Sequence, residues 1–195
     1  MPSYVIGIHG QKGSGKDTAY ERIEMLLRGD LIVERVAFAD KLKEIAALTL
    51  NTSVAVLNEL KNEPTAYIST GENFDELAQT TPRAFLQNLG GSVRAFLGDD
   101  TWVYAARPSI INSKADVVCV TDLRYYNEAA MIRHLGGVIW HVHGVEEREP
   151  EHSSEVPLPE DMVDLHIYND VRDDGFTKLD GQILAGLVVQ LEMLA

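Results

Sequence analysis

The chain has 195 residues, of which 45% are apolar, so it is long enough to fold as one domain around a sizeable core. This composition excludes a disordered chain and a small disulfide-stapled scaffold. Lysine and arginine total 17 against 30 acidic residues, and the net charge of −13 excludes a protein that binds long nucleic acid through a basic surface. The acidity is regional: residues 141–180 contribute −9, whereas residues 1–140 contribute −3.

The single cysteine, Cys119, lies in the apolar run Val117–Val120, so we expect a buried thiol and a reducing compartment. The first apolar run stops at the charged, glycine-rich stretch that begins at Gln11, too early for a signal peptide. No apolar run approaches the length of a membrane span. We therefore expect a cytoplasmic protein with no membrane partner.

The apolar pattern predicts alternating strands and helices. Strands are predicted over residues 4–8, 31–38, 115–121, 138–142 and 165–168, and helices over 16–28, 40–50, 82–97, 100–111, 126–135 and 179–194. Thr81 is the predicted N-cap of the helix that starts at Pro82. Residues 51–80 remain unassigned. The alternation predicts an α/β fold in which helices cover both faces of a five-stranded parallel sheet.

A glycine-rich loop with a lysine follows the first strand and leads into the first helix. It consists of Gly10, Gln11, Lys12, Gly13, Ser14, Gly15, Lys16, Asp17 and Thr18. Glycines let backbone N–H groups approach phosphates, and Lys16 supplies a cation to the β and γ oxygens, so the loop is a predicted ATP site. Asp17 stands where such loops usually carry the hydroxyl that binds Mg²⁺; either Asp17 or Thr18 is the predicted ligand.

Large motors and ATPases need a longer chain, which leaves a small kinase. We predict a single kinase domain with its core at residues 1–50 and 113–195, a helical substrate-binding insertion at about 51–112 and a lid at about 144–163. A lid excludes water and needs cations, so the lone basic residue Arg148 is a candidate catalytic arginine. The alternative is that Arg148 merely balances the glutamates around it.

An ordered series of motifs resembles the phage-type deoxynucleoside monophosphate kinases, a family of P-loop nucleotide kinases, from residue 4 to about residue 170. The motifs are Gly10–Thr18, Phe38–Lys43, Thr81–Arg83 with Leu86, Gln87, Gly90, Arg94 and Trp102, Asp122–Ala129, and His152–Glu155. The resemblance implies a fold of the P-loop NTPase type and, if the protein is phage-encoded, a location in the host cytoplasm. It implies transfer of the γ-phosphoryl of ATP to a deoxynucleoside 5′-monophosphate, with Mg²⁺ as cofactor, for DNA synthesis. It implies substrate contacts from Asp40, Lys43, Arg83, Gln87, Arg94, Trp102, Arg124, Glu128, His152 and Glu155.

Spacing supports part of this assignment. Arg83 and Arg94 are eleven residues apart on one predicted helix, hence on one face, and guanidinium groups suit a phosphate. The alternative is two solvated arginines, and Trp102 fits a core or pocket wall better than a stacking platform. Asp122 ends a predicted strand at the carboxyl edge of the sheet, where it suits Mg²⁺, with Arg124 near the transferred group. The alternative is that Asp122 caps the next helix while Arg124 pairs with Glu128.

Four histidines also invite a metal hypothesis. His141 and His143 are two apart on a predicted strand, but no cysteine and no fixed ligand spacing connects them with His152 and His166, so we do not favour zinc. The alternatives to a deoxynucleotide kinase are a related kinase, acting on dephospho-coenzyme A or phosphomevalonate, and an inactive nucleotide-binding regulator. The accepted base stays open, and so does the oligomeric state, with a homodimer as one option.

Overall fold

The computed structural model describes residues 2–63, 66, 68–69, 79–145, 156–169 and 175–192. In chain order the elements are β1 (Tyr4–His9), α1 (Lys16–Leu27), β2 (Val33–Val36), α2 (Asp40–Thr49), α3 (Val54–Asn62), β3 (Ile68–Ser69), β4 (Gln79–Thr80), α4 (Pro82–Leu97), α5 (Thr101–Ile111), β5 (Val117–Leu123), α6 (Tyr126–His134), β6 (Val138–His143), β7 (Leu165–Tyr168) and α7 (Thr177–Glu192). A 3-10 turn at Glu160–Met162 precedes β7.

Five strands form one parallel sheet in the order β2-β5-β1-β6-β7. The central strands are buried almost throughout, because helices cover both faces. Ile6 and Ile8 point to the face packed by α1 and α7, while Gly7 faces Ile132 of α6 on the opposite side. The predicted α/β fold with five parallel strands is confirmed.

The chain divides into two compact units, Met1–Ala37 with Arg107–Ala195, and Phe38–Ala106. The second unit has its own core, in which Ala46 of α2 packs with Leu57 of α3 and Leu86 of α4. Because of this packing, α2 groups with the helical unit, whereas the sequence placed residues 40–50 with the core domain.

Two local features differ from the sequence expectations. Helix α3 lies in the stretch that the sequence left unassigned, and its N-cap is Ser53, whose Oγ accepts a hydrogen bond from Val56 N at 3.2 Å. Strand β5 runs to Leu123, so Asp122 lies within the strand and does not follow its end.

Cys119 is fully buried in β5, as expected, and burial raises the pKa of its thiol to about 12. Across the described residues, no helix combines the length and apolar character that a membrane crossing requires.

Candidate active site

The phosphate loop, residues 10–15, joins the end of β1 to the start of α1. Gly10, Gly13 and Gly15 have φ angles of 148°, 81° and 97°, in the region that favours glycine. A Cβ added to Gly10 would overlap the carbonyl oxygen of Val142 and lie 2.7 Å from Ser14 Oγ. The loop conformation therefore depends on glycine for backbone freedom and, at Gly10 and Gly15, for space.

Lys16 begins α1 and turns back over the loop. Its Nζ donates hydrogen bonds to the carbonyl oxygens of Gly10 at 2.8 Å and Gln11 at 2.7 Å. Ser14 is 4% exposed, and its Oγ has no hydrogen-bond partner within the described part of the chain. A helix N-terminus, an ammonium group and an unsatisfied hydroxyl thus meet in one loop, which is the donor set that a phosphate requires.

Residues that follow β6 and β7 contact this loop. Asn169 follows β7, and its Nδ2 donates to Ser14 O at 3.1 Å, while its backbone N–H donates to His143 O at 2.9 Å. Gly144 follows β6, and a Cβ there would lie 3.0 Å from Ser14 Cα. The sequence did not identify Asn169, because nothing in its local pattern marks a residue that contacts a loop 155 positions earlier.

The predicted Mg²⁺ ligands are Asp17 or Thr18 on α1 and Asp122 on β5. Asp17 is exposed and Thr18 half-buried in the first turn of α1, and each presents an oxygen of the kind that Mg²⁺ prefers. Strand β5 pairs with β1, with Leu123 in register with His9, so Asp122 lies beside the start of the loop. Arg124 follows and is exposed. This donor set fits Mg²⁺.

Glu128 is 3% exposed, and its carboxylate accepts hydrogen bonds from backbone N–H groups just before α6. Its Oε2 accepts hydrogen bonds from the backbone N–H groups of Arg124 at 2.8 Å and Tyr125 at 3.1 Å. This is the pattern of a helix cap, in which a side chain satisfies N–H groups that precede the helix. We therefore assign Glu128 a structural role in place of the predicted substrate contact.

The predicted acceptor residues lie in the helical unit. Arg83 and Arg94 are both half-buried on α4, and Gln87 is exposed one turn after Arg83. Helix α4 begins as predicted, because Thr81 Oγ1 accepts a hydrogen bond from Ala84 N at 3.2 Å. The shared helix that the eleven-residue spacing required is therefore present.

Other predicted contacts have different outcomes. In the first turn of α2, Lys43 Nζ lies 3.9 Å from an oxygen of Asp40. Trp102 is 6% exposed and donates from Nε1 to Gly90 O at 3.1 Å, so it is a core residue of the helical unit with no face open for stacking. Arg148, His152 and Glu155 lie outside the described residues, together with the rest of residues 146–155 of the predicted lid.

Four histidines of the sheet unit meet beside the phosphate loop, at the carboxyl ends of β1, β6 and β7. His141 and His143 stack with ring centroids 4.0 Å apart, and His141 pairs in register with His166 of β7. His9 contacts His141 edge to face at 4.8 Å. Burial lowers the pKa of His141 to about 3, helped by the neighbouring histidines, and burial also lowers the pKa of His9.

No protein-family profile and no curated protein matches the chain. Among solved structures, it is similar to a crystal structure from Chloroflexus aurantiacus J-10-fl described as a "putative kinase". The similarity covers 100% of both chains with a TM-score of 0.52 and 14% sequence identity. At this identity the likeness shows the fold, in agreement with the five-stranded parallel sheet.

Proposed function

We propose that this protein is an ATP- and Mg²⁺-dependent kinase that phosphorylates a deoxynucleoside 5′-monophosphate to the diphosphate. The observation that carries the proposal is the phosphate loop, with left-handed glycines at three positions and Lys16 Nζ folded over its carbonyl oxygens. The similarity in fold to a protein described as a "putative kinase" supports the general class. The ordered motifs support the deoxynucleotide as acceptor.

Phosphoryl transfer requires little covalent participation by the protein. It depends on alignment of the two reacting phosphates and on cations around the transferred group. In the proposed site the loop N–H groups and the start of α1 bind the β-phosphate, and Lys16 moves from the loop carbonyls to the β and γ oxygens. Asp122, with Asp17 or Thr18, holds Mg²⁺ directly or through water. A bound ion would supply positive charge against the phosphate oxygens.

We assign the acceptor phosphate to Arg83 and Arg94, because two guanidinium groups on one helix face can bind its oxygens bidentately. Gln87 and Lys43 are proposed contacts to the rest of the acceptor, and Arg124 is proposed to lie at the transferred group. No general base is required, since the acceptor phosphate is already an anion at neutral pH. Arg148 of the proposed lid supplies a further cation.

The proposal is tested by an assay that couples ADP formation to NADH oxidation, with ATP, Mg²⁺ and each of the four deoxynucleoside monophosphates. Turnover is expected with at least one of them. Lys16→Ala should lower kcat by roughly a hundredfold or more, because it removes a cation from the developing charge. Lys114→Ala, which removes an exposed lysine outside the proposed site, is the matched control and should retain activity.

Arginine variants test the acceptor assignment separately. Arg83→Ala and Arg94→Ala should each raise the KM for the monophosphate by about 10–100-fold, the effect of losing charged hydrogen bonds, with little change in ATP affinity. Arg107→Ala, at an exposed position of α5, should leave both constants unchanged. Equal effects of all three variants would contradict the assignment.

Two alternatives predict different results in the same assays. Turnover with dephospho-coenzyme A or phosphomevalonate, and none with any deoxynucleotide, would favour a related small-molecule kinase. ATP binding that survives both arginine variants, with no ADP formed at any acceptor, would favour a nucleotide-binding regulator.

A further inference from the structure

We propose that His141, His143 and His166 form a binding site for a divalent transition-metal ion, with Zn²⁺ as the best chemical fit. One ligand atom from each imidazole lies within 4.8 Å of the other two. The site is separate from the Mg²⁺ site of the proposed kinase and does not depend on that activity.

Strand pairing assembles the three rings. His141 and His143 are alternate residues of β6, so both point to the same face of the sheet. His166 is the register partner of His141 on the adjacent strand β7. The spacing of the histidines along the chain does not indicate that β6 pairs with β7, so the sequence did not favour a metal site.

The distances are close to those of a metal site. Around a tetrahedral Zn²⁺ with bonds of about 2.0–2.1 Å, ligand nitrogens lie about 3.3 Å apart. His143 Nε2 and His166 Nδ1 lie 2.8 Å apart, as a hydrogen-bonded pair. Small side-chain rotations on two paired strands would therefore bring three nitrogens into coordinating positions, leaving a fourth position for water.

Glu160 orients His166 for this role. Its Oε1 lies 2.8 Å from His166 Nε2, whose N–H therefore donates a hydrogen bond to the carboxylate. The lone pair of His166 Nδ1 then faces His143 Nε2. A carboxylate on the distal nitrogen of a metal-binding histidine is a common arrangement that fixes the ring and its tautomer. When the ion replaces the hydrogen bond between His143 and His166, His143 carries its proton on Nδ1.

His9 closes the cluster without belonging to the ligand set. Its Nδ1 donates to Leu123 O at 3.0 Å, and its Nε2 accepts from Leu158 N at 3.3 Å, so both nitrogens are used. A neutral ring in a fixed tautomer is left beside His141. Imidazole ligands suit Zn²⁺, Co²⁺, Ni²⁺ and Cu²⁺, whereas Mg²⁺ prefers oxygen, so the site discriminates against the ion that accompanies ATP.

The test is titration of the full, EDTA-treated chain with Co²⁺ by visible absorption and with Zn²⁺ by calorimetry. We expect one ion per chain, bound in the presence of excess Mg²⁺. His143→Gln and His166→Gln should each weaken binding by at least about tenfold, and Glu160→Gln, which alters only the positioning of His166, by about tenfold. His134→Gln, at an exposed position at the end of α6, should bind like the wild type.

Circular dichroism checks that each variant is folded. A readout that needs no variant is the NMR correlation of imidazole nitrogens, in which His141, His143 and His166 should shift on Zn²⁺ addition while His134 does not. The absence of saturable binding, or binding that is equal in the wild type and both histidine variants, would overturn the proposal. An imidazole response confined to His134 would do the same.

Discussion

Substitution of Gly15 by alanine tests how the phosphate loop is held, because two separate costs arise at one residue. Gly15 is the N-cap of α1 with φ 97°, and a left-handed backbone costs a non-glycine residue about 1–2 kcal/mol. The added Cβ would also overlap Asn169 Nδ2 and lie 3.1 Å from Asn169 Cγ. Asn169 must then move, and its bond to Ser14 O, worth about 0.5–1.5 kcal/mol, is lost.

Gly15→Ala should therefore lower the free energy of unfolding by about 1.5–3.5 kcal/mol. Gly13→Ala is the matched control, because Gly13 has φ 81° in the same loop and a Cβ there would meet nothing within 4 Å. It should lower stability by only about 1–2 kcal/mol, the cost of the backbone conformation. In an Asn169→Ala background no side-chain amide overlaps a Cβ at Gly15. The loss in free energy of unfolding caused by Gly15→Ala should therefore decrease to that caused by Gly13→Ala.

The assay is urea unfolding of the wild type, the three single variants and the Gly15→Ala/Asn169→Ala double variant, followed by circular dichroism. ADP affinity measured on the same proteins reports whether the displaced loop still binds phosphate. The reasoning is refuted if Gly13→Ala and Gly15→Ala have equal costs, within about 0.3 kcal/mol, or if removing the Asn169 side chain leaves the cost of Gly15→Ala unchanged.

Three further predictions concern buried groups. Trp102→Phe removes the indole N–H that donates to the Gly90 carbonyl and should lower the free energy of urea unfolding by about 0.5–1.5 kcal/mol, whereas an unchanged midpoint would contradict the role of that bond. The Cys119 thiol, with its pKa raised to about 12, should resist Ellman's reagent at pH 8 until urea unfolds the chain; rapid labelling of the folded protein would show that it is accessible. Because the pKa of His141 is lowered from 6.5 to about 3 in the folded chain, His141 takes up a proton between these pH values only when the chain unfolds. The free energy of unfolding, measured in EDTA, should therefore fall as the pH drops from 6.5 toward about 3. That decline should be shallower in His141→Gln, and an identical slope would contradict the burial of His141.

Burial is the largest cause of the lowered pKa of His141, and groups on several elements around it add to the effect. They are His143 on the same strand, His9 on β1, His166 on β7 and Lys16 at the start of α1. Because each of them disfavours a positive charge on His141, the decline tests the whole cluster at the sheet edge.

The sheet was predictable because strands buried on both faces read as short apolar runs. Strand β1 and strand β7 lie within one residue of their expected bounds, Gly15 precedes α1, and Pro82 and Gly98 mark the two ends of α4. Helix α3 was missed because it buries only Leu57 fully, so its apolar periodicity is weak. Its Ser53 N-cap was the signal that could have located it.

The geometry of the candidate site was predictable where it follows from consecutive residues, and unpredictable where it follows from the pairing of distant strands. The loop glycines and Lys16 are consecutive and carry their own pattern. Asn169 and the pairing of His141 with His166 depend on strands that meet only in the fold. The capping role of Glu128 competes with a substrate role at the same residue, and only its contacts with backbone N–H groups distinguish the two.

Transfer of a labelled phosphoryl group tests the central claim most directly. The protein is incubated with [γ-³²P]ATP, Mg²⁺ and each deoxynucleoside monophosphate, and the products are separated by thin-layer chromatography. The account predicts label in at least one deoxynucleoside diphosphate, dependent on Mg²⁺ and abolished by Lys16→Ala. Tight ATP binding with no label in any of the four diphosphates would contradict it.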